Sequence, residues 1–110
     1  MERITILVVN TWVVKPEKEG EFTKLWQRYL KYIKENPKTF KEVKSLKLFT
    51  QMLGGIYGAH VELIEYDSLT DLEKLLTRIF KDKEFMKVMQ EIMLIIEPAS
   101  YSINVWNAVT

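Results

Sequence analysis

The chain has one histidine, His60, two residues before Glu62. An imidazole titrates near neutral pH and can move a proton, and a nearby carboxylate can orient it. Positions i and i+2 of a strand share a face about 7 Å apart, within reach of contact. The same pair also reads as two polar groups at an interface between copies, hydrated or paired across it. Asn10 and Trp12 form a second such pair. An amide beside an indole can bind and polarise a planar oxygenated ring. Interface packing around one satisfied amide is the alternative. Trp106 and Asn104, on the last strand, are expected close to that pair. Tyr66 is a further candidate for positioning a ligand. Trp26 and Tyr29, with Tyr57 and Tyr101 opposite, can line a pocket between helix and sheet. Aromatic residues at helical spacing also serve as plain core.

Other chemistries find no support. There is no cysteine, so disulfides and thiolate catalysis are ruled out. One histidine among scattered carboxylates lacks metal-ligand spacing, and no metal site is expected. Gly54-Gly55 reads as a hairpin turn, not a phosphate-cradling loop, and no nucleophilic triad is evident.

The elements that must carry these residues follow from periodicity. Arg3 to Val14 is rich in β-branched residues and reads as a strand ended by Lys15-Pro16. From Pro16, an apolar stripe of Phe22, Leu25, Trp26, Tyr29, Leu30 and Ile33 predicts a helix that stops at Asn36-Pro37. Val43 to Met52 and Ile56 to Tyr66 predict a hairpin turning on Gly54-Gly55, where glycine tolerates positive φ. Asp67 or Ser68 caps a helix, Asp82 re-caps a second from Lys83 to Ile96, and Pro98 ends it. Tyr101 to Val109 is the last strand. This βαββαβ order predicts an α+β, ferredoxin-like, four-stranded antiparallel sheet with helices on one face. The expected strand order is 4-1-3-2, with the first and third strands central and parallel.

Alternation then divides each strand between two faces. The first strand gives Ile4, Ile6, Val8, Asn10 and Trp12 against Leu7, Val9, Thr11 and Val13. The third gives Tyr57, Ala59, Val61 and Leu63 against His60, Glu62, Ile64 and Tyr66. Strand four gives Tyr101, Ile103 and Val105 against Ser102, Asn104 and Trp106. Helices can cover only one of these faces, and the other is too apolar to stay in water. A homodimer with sheets face to face is therefore expected.

The chain has 110 residues, 47% of them hydrophobic, which suits one domain spanning residues 1–110. A net charge of +1 gives no reason to expect nucleic acid or an anionic membrane. The apolar run Ile4–Val9 is too short to span a bilayer, and a cytoplasmic location is expected.

Three segments carry a resemblance. The first, Val9-Asn10-Thr11-Trp12-Val13-Val14-Lys15-Pro16-Glu17 onward to Phe22, resembles the strand-to-helix entry of antibiotic-biosynthesis-monooxygenase-like domains. Glu65-Tyr66-Asp67-Ser68-Leu69-Thr70-Asp71-Leu72 is similar to the acidic-Ser helix start common to the dimeric α/β-barrel superfamily. Asp82-Lys83-Glu84-Phe85-Met86 is similar to a helix start of the same group and of NIPSNAP-like domains. The resemblance implies a dimeric α/β barrel and, for some relatives, cofactor-free oxygenation of ring-bearing molecules. The haem-degrading branch is matched at Asn10 only: Tyr66 stands where that branch has Trp, and no His lies between Tyr66 and Ile96 to hold iron. No cofactor is expected. RNA-recognition domains share the element order, but here Leu7 and Ala59 occupy their stacking positions.

Together these readings give two expectations. One is a cofactor-free, monooxygenase-like enzyme acting on a small aromatic or apolar molecule, with Asn10, His60 and Tyr66 catalytic and Trp12, Trp26, Tyr29, Glu62 and Trp106 binding substrate. The other is a non-catalytic ligand-binding or assembly module of the same fold.

Overall fold

The computed structural model describes residues 5–56 and 58–109, so the expectations placed on Arg3, Ile4 and Tyr57 lie outside the described residues. Strand β1 (Ile6–Trp12) leads through a 3-10 turn at Pro16–Lys18 into helix α1 (Glu19–Glu35). Proline at the start of that turn has no amide to leave unpaired, which is why the chain can bend sharply there. Strands β2 (Ser45–Thr50) and β3 (His60–Tyr66) follow, then helices α2 (Leu69–Ile79) and α3 (Lys83–Leu94), and strand β4 (Ser102–Asn107).

The four strands form one antiparallel sheet in the order β2-β3-β1-β4, as the crossover argument requires. One expectation is corrected: β1 and β3 are central but antiparallel, with Ile6 opposite Tyr66 and Trp12 opposite His60. The α1 crossover makes β2 parallel to β1, and the hairpin then reverses β3. A second correction concerns where β3 begins. Gly54, Gly55 and also Gly58 take positive φ, +75°, +54° and +80°. At Gly58 that leaves the extended region, so Ile56 belongs to the turn and pairing starts at His60.

Both helix caps form as the sequence suggests. Ser68 Oγ accepts from the Asp71 amide at 3.1 Å, and Asp82 Oδ1 accepts from the Phe85 amide at 3.1 Å. Helix α3 ends two residues short of Ile96. There the backbone pairs with the chain after β1 instead: the Lys15 amide donates to Ile95 O at 3.0 Å and the Glu97 amide to Val13 O at 2.8 Å.

The core lies between the helices and one sheet face. Ile6, Val8, Trp12, Ile64 and Tyr66 supply the sheet side, and Phe22, Tyr29, Leu75, Phe85 and Ile92 the helix side. His60 and Glu62 share that covered face and are buried. Their reading as groups at an interface between copies is therefore corrected: strand register with Trp12 and Asn10 turns them under the helices. The other face carries Leu7, Val9, Val61 and Leu63 with Phe49 and Trp106, and among the described residues no helix covers it. Among the described residues, no helix is long and apolar enough to cross a membrane.

Candidate functional site

Asn10 and Glu62 lie opposite one another on the two central strands, so their side chains meet under the helix layer. Asn10 Nδ2 donates to Glu62 Oε1 at 2.8 Å. From above, the Tyr29 hydroxyl of α1 donates to Glu62 Oε2, also at 2.8 Å. Tyr29 reaches this point because Phe22, Trp26, Tyr29 and Ile33 fall at three- and four-residue intervals and form one face of α1. Each carboxylate oxygen is thus held by a neutral donor, and no ion pair among the described residues involves Glu62.

Burial drives the electrostatics. Desolvation pushes the Glu62 carboxyl above the usual carboxylate range, and the Asn10 and Tyr29 hydrogen bonds only partly oppose it. Tyr29 is raised well above an ordinary phenol by burial and then by the Glu62 charge. Tyr66 and Tyr101 move upward for the same two reasons in the same order.

These groups open onto a cavity of about 480 Å³ between sheet and helices. Its walls are almost wholly apolar and include Trp12, Trp26 and Tyr66 as well as Met86, Met89 and Met93 from α3. A space of that size holds a small organic molecule. Asn10 Oδ1 and Trp12 Nε1 are buried and have no hydrogen-bond partner among the described residues.

The predicted site residues divide into two groups. Asn10, Trp12, Trp26, Tyr29, Glu62 and Tyr66 all line the cavity. His60 and Trp106 do not. His60 is sealed into an aromatic stack, with Trp12 parallel to it at 6.0 Å and Phe22 against it at 4.7 Å. Its pKa is lowered by burial, with Glu19 opposing, and it makes no hydrogen bond to Glu62. Trp106 pairs with Leu7 and Asn104 with Val9, which puts both on the uncovered face, away from Asn10. The expected closeness of that pair to Asn10 and Trp12 is corrected by this one-residue offset in register. What sequence reasoning missed is that Glu62's partners are Asn10 and Tyr29, not His60. Aligning the hairpin to the first strand is the step that would have exposed the Asn10–Glu62 pairing.

Among the described residues no group of three or more metal-ligating side chains converges. No protein-family model matches the sequence, and no curated protein matches it. Solved structures do match in fold. A NIPSNAP family protein from Agrobacterium tumefaciens str. C58 aligns with a TM-score of 0.76 over 99% of this chain and 90% of its own, at 15% identity. An antibiotic biosynthesis monooxygenase aligns at 0.71 over 96% of this chain and 99% of its own, at 15% identity. A conserved protein from Methanosarcina mazei Go1 aligns at 0.70 over 94% and 92%, at 18% identity. The chain therefore has the ferredoxin-like α+β fold shared by NIPSNAP and antibiotic-biosynthesis-monooxygenase structures, as its three sequence segments implied.

Proposed function

We propose that this protein binds a small, flat, apolar molecule between sheet and helices and takes a proton from it with Glu62, opening a cofactor-free oxygenation. The observation that carries this reading is the Glu62 carboxyl, buried in an apolar cavity, raised in pKa and fixed through both oxygens by neutral donors. A base is most effective when its pKa approaches the working pH, and burial moves Glu62 in that direction. A carboxylate has about four lone-pair sites, of which Asn10 and Tyr29 use two, so acceptor capacity remains for a substrate proton. The fold likeness to a protein described as a monooxygenase adds weight.

The substrate this chemistry suits is an acidic ring CH2 next to a carbonyl. Its proton passes to Glu62, and the electron pair left behind delocalises onto the carbonyl oxygen. Trp12 lines the cavity, and its indole Nε1 has no partner among the described residues. Dioxygen is the oxidant: a C–O bond forms, the O–O bond breaks, one oxygen stays as a new carbonyl and the other leaves as water. The balance is CH2 + O2 → C=O + H2O.

The test uses 2-tetralone, a ring ketone with an acidic CH2. Oxygen uptake with a matching diketone is expected from the wild type and is lost in Glu62→Gln, while calorimetry finds binding in both. Binding without uptake in the wild type would overturn the enzymatic reading in favour of a non-catalytic module.

A further inference from the structure

The cavity is polar at Asn10 and Glu62 and open along one edge. Across the sheet, Glu62, Asn10 and Ile103 stand side by side on β3, β1 and β4, and the next row is Ile64, Val8 and Val105. On the two central strands the helices keep these rows dry: Glu62, Ile64 and Val8 are 5%, 8% and 7% exposed. One strand further, Ile103 and Val105 are 58% and 48% exposed, although both still line the cavity. The helix layer therefore stops short of β4. Asn10 and Glu62 lie one and two strand spacings from that edge, about 5 and 10 Å.

We propose that this open edge is a tail subsite: the ligand is a neutral amphiphile whose ring ketone sits at Asn10 and Glu62 and whose unbranched alkyl tail leaves along the half-open wall of Ile103, Val105 and Met93. Three observations select that ligand class. The first is size. Counting ~30 Å³ for each water-sized group, the cavity of about 480 Å³ takes roughly sixteen, and the ring and oxygen of a six-membered ring ketone use seven. A ring alone leaves more than half the space unfilled.

The second is the shape and softness of the wall. Met86, Met89 and Met93 follow one face of α3 over about 10 Å. Tyr101 to Val105 extends over about 13 Å of β4. With C–C bonds of about 1.5 Å in a zigzag, roughly eight carbons span 10 Å. Unbranched thioether side chains adapt to a flexible chain better than branched ones. The third is charge. Among the described residues Glu62 is the one charged side chain in the lining, and no cation stands there to hold an acidic headgroup. A carboxylate or phosphate head would be desolvated beside a like charge, whereas a neutral carbonyl would not.

The place of the ketone head rests on the proton-transfer reading, but the test reads binding alone. Titration calorimetry compares 4-propyl-, 4-pentyl- and 4-heptylcyclohexanone on the full chain. A fully buried methylene is worth about fourfold in affinity and a half-exposed one about twofold, so the wild type should gain at least ~15-fold from propyl to heptyl. Val105→Asp and the milder Met93→Gln, at positions 48% and 46% exposed, should each cut that gain to below about fourfold. At pH 8, 4-pentylcyclohexanecarboxylate should bind at least tenfold more weakly than 4-pentylcyclohexanone. A flat series in the wild type would overturn the subsite, and so would a full gain kept in both variants. Equal binding of the carboxylate would overturn the neutral head. The two readings fail separately. Length-dependent binding with no proton exchange from 2-tetralone supports the subsite and removes the proton transfer, while exchange with a flat series overturns the subsite alone.

Discussion

Replacing Glu62 with Gln isolates what burying that carboxyl costs. In the folded chain its pKa lies above the unfolded value, because burial disfavours the charged form more than Asn10 and Tyr29 favour it. Between the two pKa values the folded state holds more protons than the unfolded state, so stability falls as pH rises through that window. Below the ordinary glutamate range the group is protonated in both states and this penalty is absent. The variant amide never ionises. It can accept from one of the two present donors, and the unpartnered Asn10 Oδ1 can take its N–H if the Asn10 amide turns over. The expected outcome is near-equal stability at pH 4.5, within about 1 kcal/mol, the net value of one hydrogen bond. At pH 8 the variant should be more stable by about 1–3 kcal/mol, the cost of burying a polar group whose pairing is incomplete. For a chain of this size that is roughly 4–12 °C in melting temperature. Thermal melts of both proteins at one protein concentration from pH 4.5 to 8 measure it. His60 is present in both and cancels in the difference. Parallel curves, or a wild type that gains on the variant with rising pH, would refute the claim that Glu62 is a buried acid held by neutral donors alone.

Asn10→Ala removes the donor to Glu62 Oε1 and should weaken 2-tetralone binding by roughly tenfold, about 1.4 kcal/mol, whereas His60→Gln, outside the cavity, should leave affinity within about twofold; titration calorimetry reads both. Ser68→Ala deletes the α2 cap and should cost about 1 kcal/mol in urea unfolding at pH 7. Arg78→Met strips the partner from the Glu42 carboxylate, whose own burial acts upward but is outweighed by the Arg78 hydrogen bond and charge taken together with a backbone hydrogen bond and the Lys41 charge, leaving its pKa lowered. Arg78 is itself one-third exposed, so a loss of about 2–3 kcal/mol is expected at pH 7. A lowered carboxylate stabilises above its unfolded pKa, so this loss should shrink as pH falls below about 4.

Layout is legible in the sequence because it is written in periods. Alternation in β1 and β3, three- and four-residue spacing in α1, and the caps at Ser68 and Asp82 each rest on local physics. Errors arise where a non-local fact decides. Gly58 ends the extended run before β3, which no alternation of neighbouring side chains reveals. Whether the face bearing His60 and Glu62 meets helices or another copy depends on crossover geometry, not on the strand itself. The candidate site is half legible. Asn10, Trp12, Tyr29 and Glu62 each stand out by type, but a carboxylate held by residues 52 and 33 positions away is visible only after register and helix docking are known. Trp106 stands out as an aromatic residue near the end of the chain, and a one-residue register difference sends it to the other face.

The central claim is that Glu62 removes a proton from a carbon acid held in this cavity, and it can be measured without oxygen. 2-Tetralone is incubated with protein under nitrogen in D2O at neutral pH, and loss of its acidic CH2 signal is followed by proton NMR. Wild type should accelerate exchange at least ~100-fold over Glu62→Gln, the lower range for a general base. Equal exchange rates in the two proteins, with the ketone bound to both, would contradict it.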